Sequence, residues 1–117
     1  MPEVSKLEVS KQELRRCDVV RVKGRVDSGS VGDLKAAFDA ITEAGRFKII
    51  LNMSQISFMS SAGLRQLIET MKTCKRFNRG DLVLAELPQN LKDVLELAGL
   101  NTIFKVYETE VEAVGSF

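Results

Sequence analysis

The sequence predicts an α/β domain built on a mixed β-sheet of about four to five strands, with helices covering the sheet. Strand-like and helix-like segments alternate along the 117 residues in the order β, β, α, β, α, β, α, β. Strands separated by helices pair in parallel through right-handed crossovers, whereas two consecutive strands at the start indicate an antiparallel hairpin. The length fits one compact domain, so residues 1–117 are assigned to a single unit.

The opening hairpin is predicted from two apolar alternations. A loose one runs through residues 4–10 and a clearer one through residues 19–26, with a polar stretch at 11–16 between them. Residues 27–30, Asp-Ser-Gly-Ser, are typical of a turn and also offer helix caps. The first helix follows and ends near Gly45. Its buried face is indicated by Leu34, Ala37, Phe38 and Ile41.

The apolar run Phe47–Met53 has the length and composition of a central strand that is buried on both faces. A loop is expected to begin at Ser54 and Gln55, before Ile56 and Phe58 alternate into the next helix. That helix has the clearest apolar stripe of the chain, with spacing i, i+3, i+4 and i+7. The stripe consists of Leu64, Leu67, Ile68 and Met71.

Three further elements are predicted towards the C-terminus. A turn at 79–81 leads into a strand over 82–87, and Pro88 begins a helix that ends at Gly99. The apolar face of this helix consists of Leu91, Val94, Leu95 and Ala98. A last short strand is expected over 103–107, and the acidic tail after it is expected on the surface.

Composition narrows the classes of function. Apolar residues make up 44% and charged residues 28%, with a net charge of +1 and scattered Lys and Arg, which argues against a nucleic-acid surface. The chain has no histidine and no CxxC motif, so no metal site is predicted. Cys17 and Cys74 are expected to be buried free thiols, with a disulfide as the alternative. Without a leader or an apolar run of about 20 residues, a soluble cytoplasmic protein is expected.

The segment from Phe58 to Arg65 is the strongest functional signal. It places two adjacent serines, Ser60 and Ser61, between a strand-like run and the most amphipathic helix. The N–H groups and dipole of a helix N-terminus favour negative charge. A serine there can cap the helix, and it can also be phosphorylated, which adds a charge of about −1.5 to −2. The segment therefore predicts a regulatory switch, with simple capping as the alternative.

Four segments resemble STAS-domain proteins of the anti-sigma factor antagonist type. They are Val22–Asp27 (VKGRVD), Ile49–Ser54 (IILNMS), Ile56–Leu64 (ISFMSSAGL) and Leu95–Leu100 (LELAGL), the last followed by Ile103-Phe104. The third segment is fairly specific, and the others support it. The resemblance covers nearly the whole chain and implies a STAS-type fold.

The resemblance implies partner switching. The unphosphorylated antagonist binds an anti-sigma factor, itself a serine kinase, and so frees a sigma factor. The kinase phosphorylates a serine at the start of the helix, binding is lost, and a serine phosphatase restores the cycle. By position the phosphoacceptor is Ser61, with Ser60 as the second candidate. The chain departs from the family pattern at Ser60 and Asn52, where Asp is common, and at Ala62, where Ser or Thr is frequent.

The partner surface is expected around the serine pair. Phe58 and Met59 would supply its apolar part, although both, and Phe58 in particular, are also candidates for the core. Asp27 is either a polar group beside the acceptor or a helix cap or turn residue. Arg65 either contacts the partner or phosphate or is solvated. Small residues would allow a close approach to the backbone. The complete predicted set is Asp27, Phe58, Met59, Ser60, Ala62, Gly63 and Arg65.

Two other functions are alternatives to the regulatory switch. The same fold could be a constitutive adaptor subunit of a signalling assembly or of a lipid-transport ATPase complex. An enzyme is poorly supported, because the chain has no histidine for acid–base chemistry and no glycine-rich phosphate loop followed by lysine. No catalytic residue and no cofactor are predicted.

Overall fold

A computed structural model describes residues 7–77 and 79–117 of the protein. Within these residues the chain forms five strands and four helices around one mixed sheet of order β1-β2-β3-β4-β5. The first pair is antiparallel and the other three pairs are parallel, which confirms the predicted opening hairpin and crossovers. The elements are β1 (Glu8–Glu13), β2 (Asp18–Val26), α1 (Val31–Glu43), β3 (Lys48–Met59), α2 (Ser61–Arg76), β4 (Asp81–Ala85), α3 (Gln89–Leu97), β5 (Val106–Tyr107) and α4 (Glu110–Gly115).

The sheet is covered unequally on its two faces. Side chains from α1, α2 and α3 form the larger core on one face, together with inward residues of the strands. A smaller cluster on the other face includes Val19, Ile50 and Ala113, and α4 supplies the covering residues. Ile50 and Leu51 are both fully buried, in different clusters, so the prediction of a central strand buried on both faces is confirmed.

The loop expected at Ser54 and Gln55 is wrong, because β3 continues without a break to Met59. The pairing of β3 with β2 shifts register twice, between Arg21 and Lys23 and between Gly24 and Arg25. Such bulges place two consecutive residues outside the regular alternation. Ser54 and Gln55 are therefore both exposed, a pattern that resembles a loop in the sequence although the strand continues.

The other strands differ from the prediction mainly in their limits. β1 extends to Glu13 through residues expected to be a polar connection, which an exposed edge strand tolerates. Residues 4–6 of the expected strand lie outside the described part of the chain. β4 ends at Ala85, before Glu86 adopts a φ of 57°, and β5 is limited to Val106–Tyr107.

The acidic tail was expected on the surface, but it forms α4 and closes the second face of the sheet. Ala113 is fully buried, and Thr109 caps the helix by accepting a hydrogen bond from the Glu112 amide. Glu110 accepts hydrogen bonds from the Asn52 amide at 2.8 Å and from Arg21 at 2.6 and 3.1 Å. The Arg21 hydrogen bond is the main cause that lowers the pKa of Glu110. These contacts join residues far apart in sequence, so the local pattern does not indicate them.

Both cysteines are buried free thiols, as expected. Cys17 belongs to the smaller cluster and Cys74 to the larger one, on opposite faces of the sheet. Burial raises the pKa of both thiols, that of Cys74 to about 12. Neither thiol is therefore activated as a nucleophile. Among the described residues, no helix has the length and apolarity that a membrane crossing requires.

Candidate functional site at the start of the second helix

The serine pair lies where the central strand passes directly into α2. Met59, the last residue of β3, pairs with Val26 at the end of β2. The Ser60 amide then donates a hydrogen bond to the Val26 carbonyl oxygen at 2.8 Å. Because the sheet holds the residue just before the helix, the position of the helix N-terminus is fixed by the strand pairing rather than by a loop.

Ser60 is the N-cap of α2. Its backbone is extended (φ −83°, ψ 175°), and its hydroxyl accepts a hydrogen bond from the Gly63 amide at 3.4 Å. Its carbonyl oxygen accepts the first helical hydrogen bond, from the Leu64 amide at 3.0 Å. The side chain is half-buried. Capping, one of the two roles considered for Ser60, is therefore present in the structure.

Ser61 occupies the first helical position and is exposed to solvent. None of the side-chain hydrogen bonds within residues 7–77 and 79–117 involves its hydroxyl. The first amides of a helix have no partner in the helix itself, and only that of Gly63 is capped by Ser60. A phosphate on Ser61 would therefore reach solvent beside free N–H groups and the positive end of the helix dipole.

Asp27 organises the turn before α1. Its Oδ1 accepts hydrogen bonds from the Gly29 and Ser30 amides at 3.0 and 3.1 Å, and its carbonyl oxygen accepts one from the Val31 amide at 2.8 Å. The turn role considered for Asp27 is therefore present in the structure, whereas the N-cap of α1 is Ser30, without a side-chain cap hydrogen bond. The carboxylate points into the turn and is half-buried, one residue after the Val26 carbonyl that holds Ser60.

Phe58 is not a core residue, because 39% of it remains exposed. The second bulge of β3 turns Ser57 and Phe58 towards solvent together. The guanidinium carbon of Arg25 lies over the Phe58 ring, 4.3 Å from its centroid. Arg25 is absent from the residues predicted for the site, because its contact with Phe58 depends on the register between two strands that are far apart in the chain.

Met59 and Gly63 are both buried beneath the surface around the serine pair, not exposed on it as expected for partner contacts. Met59 is 3% exposed and part of the larger core. A Cβ on Gly63 would lie 2.7 Å from Met59 Cγ and 2.8 Å from Val26 Cγ1. The glycine thus allows α2 to pack closely on the end of the sheet, the close packing that an early helical glycine suggests, and it does not open the backbone to a partner.

The remaining predicted contacts are on the outer side of the helix. Ala62 is half-buried and Arg65 is exposed, one turn after Ser61. The surface around Ser61 therefore includes Arg25, Phe58, Ala62 and Arg65. Within the described part of the chain, no group of three or more His, Cys, Asp or Glu residues could hold a metal ion.

Fold and site together define a small α/β domain that presents an exposed serine at a helix N-terminus, on a sheet with a parallel core. The model of the STAS domain family matches residues 8–113. The chain therefore belongs to the STAS domain family.

The relatives and solved structures to which the chain is similar include anti-sigma factor antagonists. BtrV of Bordetella bronchiseptica, which carries that name, is 30% identical over 96 residues, covering 82% of either chain. A crystal structure described as an anti-sigma factor antagonist of Thermotoga maritima has a TM-score of 0.85 at 21% identity, covering 92% of either chain. The phosphorylated form of the Bacillus cell fate determinant SpoIIAA has a TM-score of 0.73 at 24% identity, covering 93% of this chain and 98% of that one.

Proposed function

We propose that this protein is an anti-sigma factor antagonist of the cytoplasm that works by partner switching, with Ser61 as the phosphoacceptor. In its unphosphorylated form it binds an anti-sigma factor that is also a serine kinase, and this frees a sigma factor. Phosphorylation of Ser61 ends the binding, and a serine phosphatase reverses it. The chain has no catalytic role in this cycle, because it is the substrate of both enzymes.

The observation that carries the proposal is the exposed Ser61 at the first position of α2. A phosphate there is compatible with the fold, because the helix N-terminus favours negative charge and the hydroxyl supports no internal hydrogen bond among the described residues. The same phosphate on a docking surface brings about −1.5 to −2 of charge into a contact that must lose water. One modification thus leaves the domain folded and breaks its interface.

Ser61 is preferred over Ser60 for a structural reason. The Ser60 hydroxyl is half-buried and caps the Gly63 amide, so a kinase acting on it would have to break the cap first. Ser61 can be modified without any rearrangement of the helix. The two serines therefore provide a matched pair for experiment.

The first experiment captures partners from the native cells with the protein as bait, maps its phosphate by mass spectrometry and measures the affinity of the purified kinase-type partner. We expect the phosphate on Ser61. We expect Ser61→Ala to bind constitutively, Ser61→Asp to bind at least about ten-fold more weakly, and both to melt like the wild type. Ser60→Ala, the control, keeps the phosphorylatable serine.

Equal partner affinity of the Ser61→Ala and Ser61→Asp variants would contradict the switch. Capture of transporter or scaffold subunits by a chain that is never phosphorylated would instead support the constitutive adaptor. Turnover of a nucleotide or phosphoester that is lost in Ser61→Ala would contradict both, since it would make the serine catalytic.

A further inference from the structure

The cation paired with Phe58 near the end of β2 has no partner of opposite charge among the described residues. Arg25 is exposed and forms no salt bridge or side-chain hydrogen bond within residues 7–77 and 79–117. Two other arginines of the domain are neutralised, Arg21 by Glu110 and Arg46 by Asp18. The Asp27 carboxylate, two residues away, is already engaged by the amides of its own turn.

The Arg25 guanidinium is held in place although no described residue pairs with its charge. It lies over the Phe58 ring, with its central carbon 4.3 Å from the ring centroid. Contact with a ring face fixes a long side chain that would otherwise lose considerable rotamer freedom on binding. The N–H groups at the edge of the guanidinium remain available, and they match the two oxygens of a carboxylate.

The position of this pair connects it to the serines. Arg25 precedes Val26, whose carbonyl oxygen accepts the Ser60 amide, and Phe58 precedes Met59, the strand residue next to Ser60. A partner group that meets Arg25 therefore also lies beside the N-terminus of α2. A second exposed cation, Lys23, lies on the same face of β2, two residues earlier.

We propose that Arg25, supported by Phe58, receives an Asp or Glu side chain of the anti-sigma factor and selects partners that have a carboxylate at this point. The inference rests on the proposed function and adds the chemistry of the partner. It also supplies a reason for release, because a phosphate on Ser61 repels an incoming carboxylate and competes for the guanidinium.

A protein carboxylate fits this surface better than a nucleic acid or a lipid membrane. Nucleic-acid binding of useful strength draws on about six to ten phosphate contacts, and lipid recognition on clusters of about four to eight basic residues. The exposed basic residues near the serine pair are Arg25, Lys23 and Arg65, since Arg21 is paired with Glu110, and these are fewer than either ligand requires. One preorganised guanidinium on an aromatic ring is suited to a single planar anion.

The test measures the affinity of the purified kinase-type anti-sigma factor that the wild type captures, by calorimetry at two salt concentrations. Arg25→Glu is expected to weaken binding at least about ten-fold, and Arg25→Gln by less, since it removes the charge without reversing it. Lys72→Glu makes the same charge change at an exposed position late in α2 and is expected to stay within about two-fold. Thermal melts establish that all three variants fold.

A charge exchange gives the sharper result. Each exposed Asp and Glu of the anti-sigma factor at the docked face is changed to Arg. One of these anti-sigma factor variants is expected to bind the Arg25→Glu protein and to bind the wild-type protein more weakly. Equal affinity of wild type and Arg25→Glu overturns the inference and leaves the switch intact. A wild type that binds no kinase-type partner overturns both. Binding to phosphatidylserine vesicles that Arg25→Glu abolishes, without an effect on the protein partner, would replace the inference with a membrane contact.

Discussion

The two halves of β3 differ in burial, in strand pairing and in what they contribute to the domain. Over residues 49–52 the strand is paired on both sides, with β2 and β4, and is buried on both faces. Over Met53–Met59 its pairing is with β2, the register shifts, and every third residue is buried. The first half holds the domain together and the second displays Phe58 and positions Ser61. One continuous strand thus runs from the core to the surface around Ser61, so the proposed phosphorylation would take place outside the doubly buried part of the sheet.

The largest expected difference between the halves concerns stability. Leu51→Ala removes a fully buried side chain from the larger core and is expected to lower the free energy of unfolding by about 2–5 kcal/mol. Phe58→Ala, in the exposed half, is expected to cost about 1 kcal/mol or less while weakening partner binding. Urea unfolding of both variants makes the comparison. Similar losses would show that the second half is as structural as the first.

The next effect tests the close packing at the end of the strand. Gly63→Ala places a methyl group against Met59 and Val26 and is expected to destabilise the protein by about 1–3 kcal/mol. Gly32→Ala is the matched control, because nothing lies within 4 Å of a Cβ in that position of α1. It should be neutral or slightly stabilising, as alanine is the better helix former. If both variants melt alike, the packing argument for Gly63 is wrong.

Asn52 ends the buried half and connects it to α4. Asn52→Asp replaces the 2.8 Å hydrogen bond to Glu110 by two facing carboxylates, and a loss of about 1–2 kcal/mol is expected at pH 7. In the wild type the lowered pKa of Glu110 provides stability that is present above the ordinary Glu pKa and is lost as the pH falls through the lowered value. In the Asn52→Asp variant, repulsion between the new carboxylate and Glu110 raises the pKa of one of the two groups. Protonation of that group in acid removes the repulsion.

The difference between wild type and Asn52→Asp is therefore expected to narrow in acid. Thermal melts between pH 7 and about pH 4 measure this, with Asn101→Asp on an exposed loop as the control for the added charge. A deficit that stays constant with pH would mean that the two carboxylates do not face each other.

The smallest effect separates the two serines. Ser60→Ala removes the cap of α2 and is expected to cost about 1 kcal/mol, whereas Ser61→Ala should leave the free energy of unfolding within about 0.5 kcal/mol. Equilibrium unfolding by guanidinium resolves the two. A larger loss for Ser61→Ala would assign it a structural role and weaken its assignment as a free acceptor.

The sequence by itself determined the order of the elements as far as β5, the parallel pairing of the central strands and the location of the serine pair. These follow from local periodicity, since a helix or strand shows its buried face within a few residues. The capping hydroxyl of Ser60 and the close packing at Gly63 were also readable, because both are properties of a short segment at a helix start.

Only the tertiary structure decided which side chains form the surface. The bulges of β3 expose Phe58, the register brings Arg25 over its ring, and α4 docks through Glu110 onto Arg21 and Asn52. Each contact joins residues about 30 to 90 positions apart. Such pairings depend on how neighbouring elements align and not on the conformational preference of either segment. For that reason no local sequence pattern predicts them.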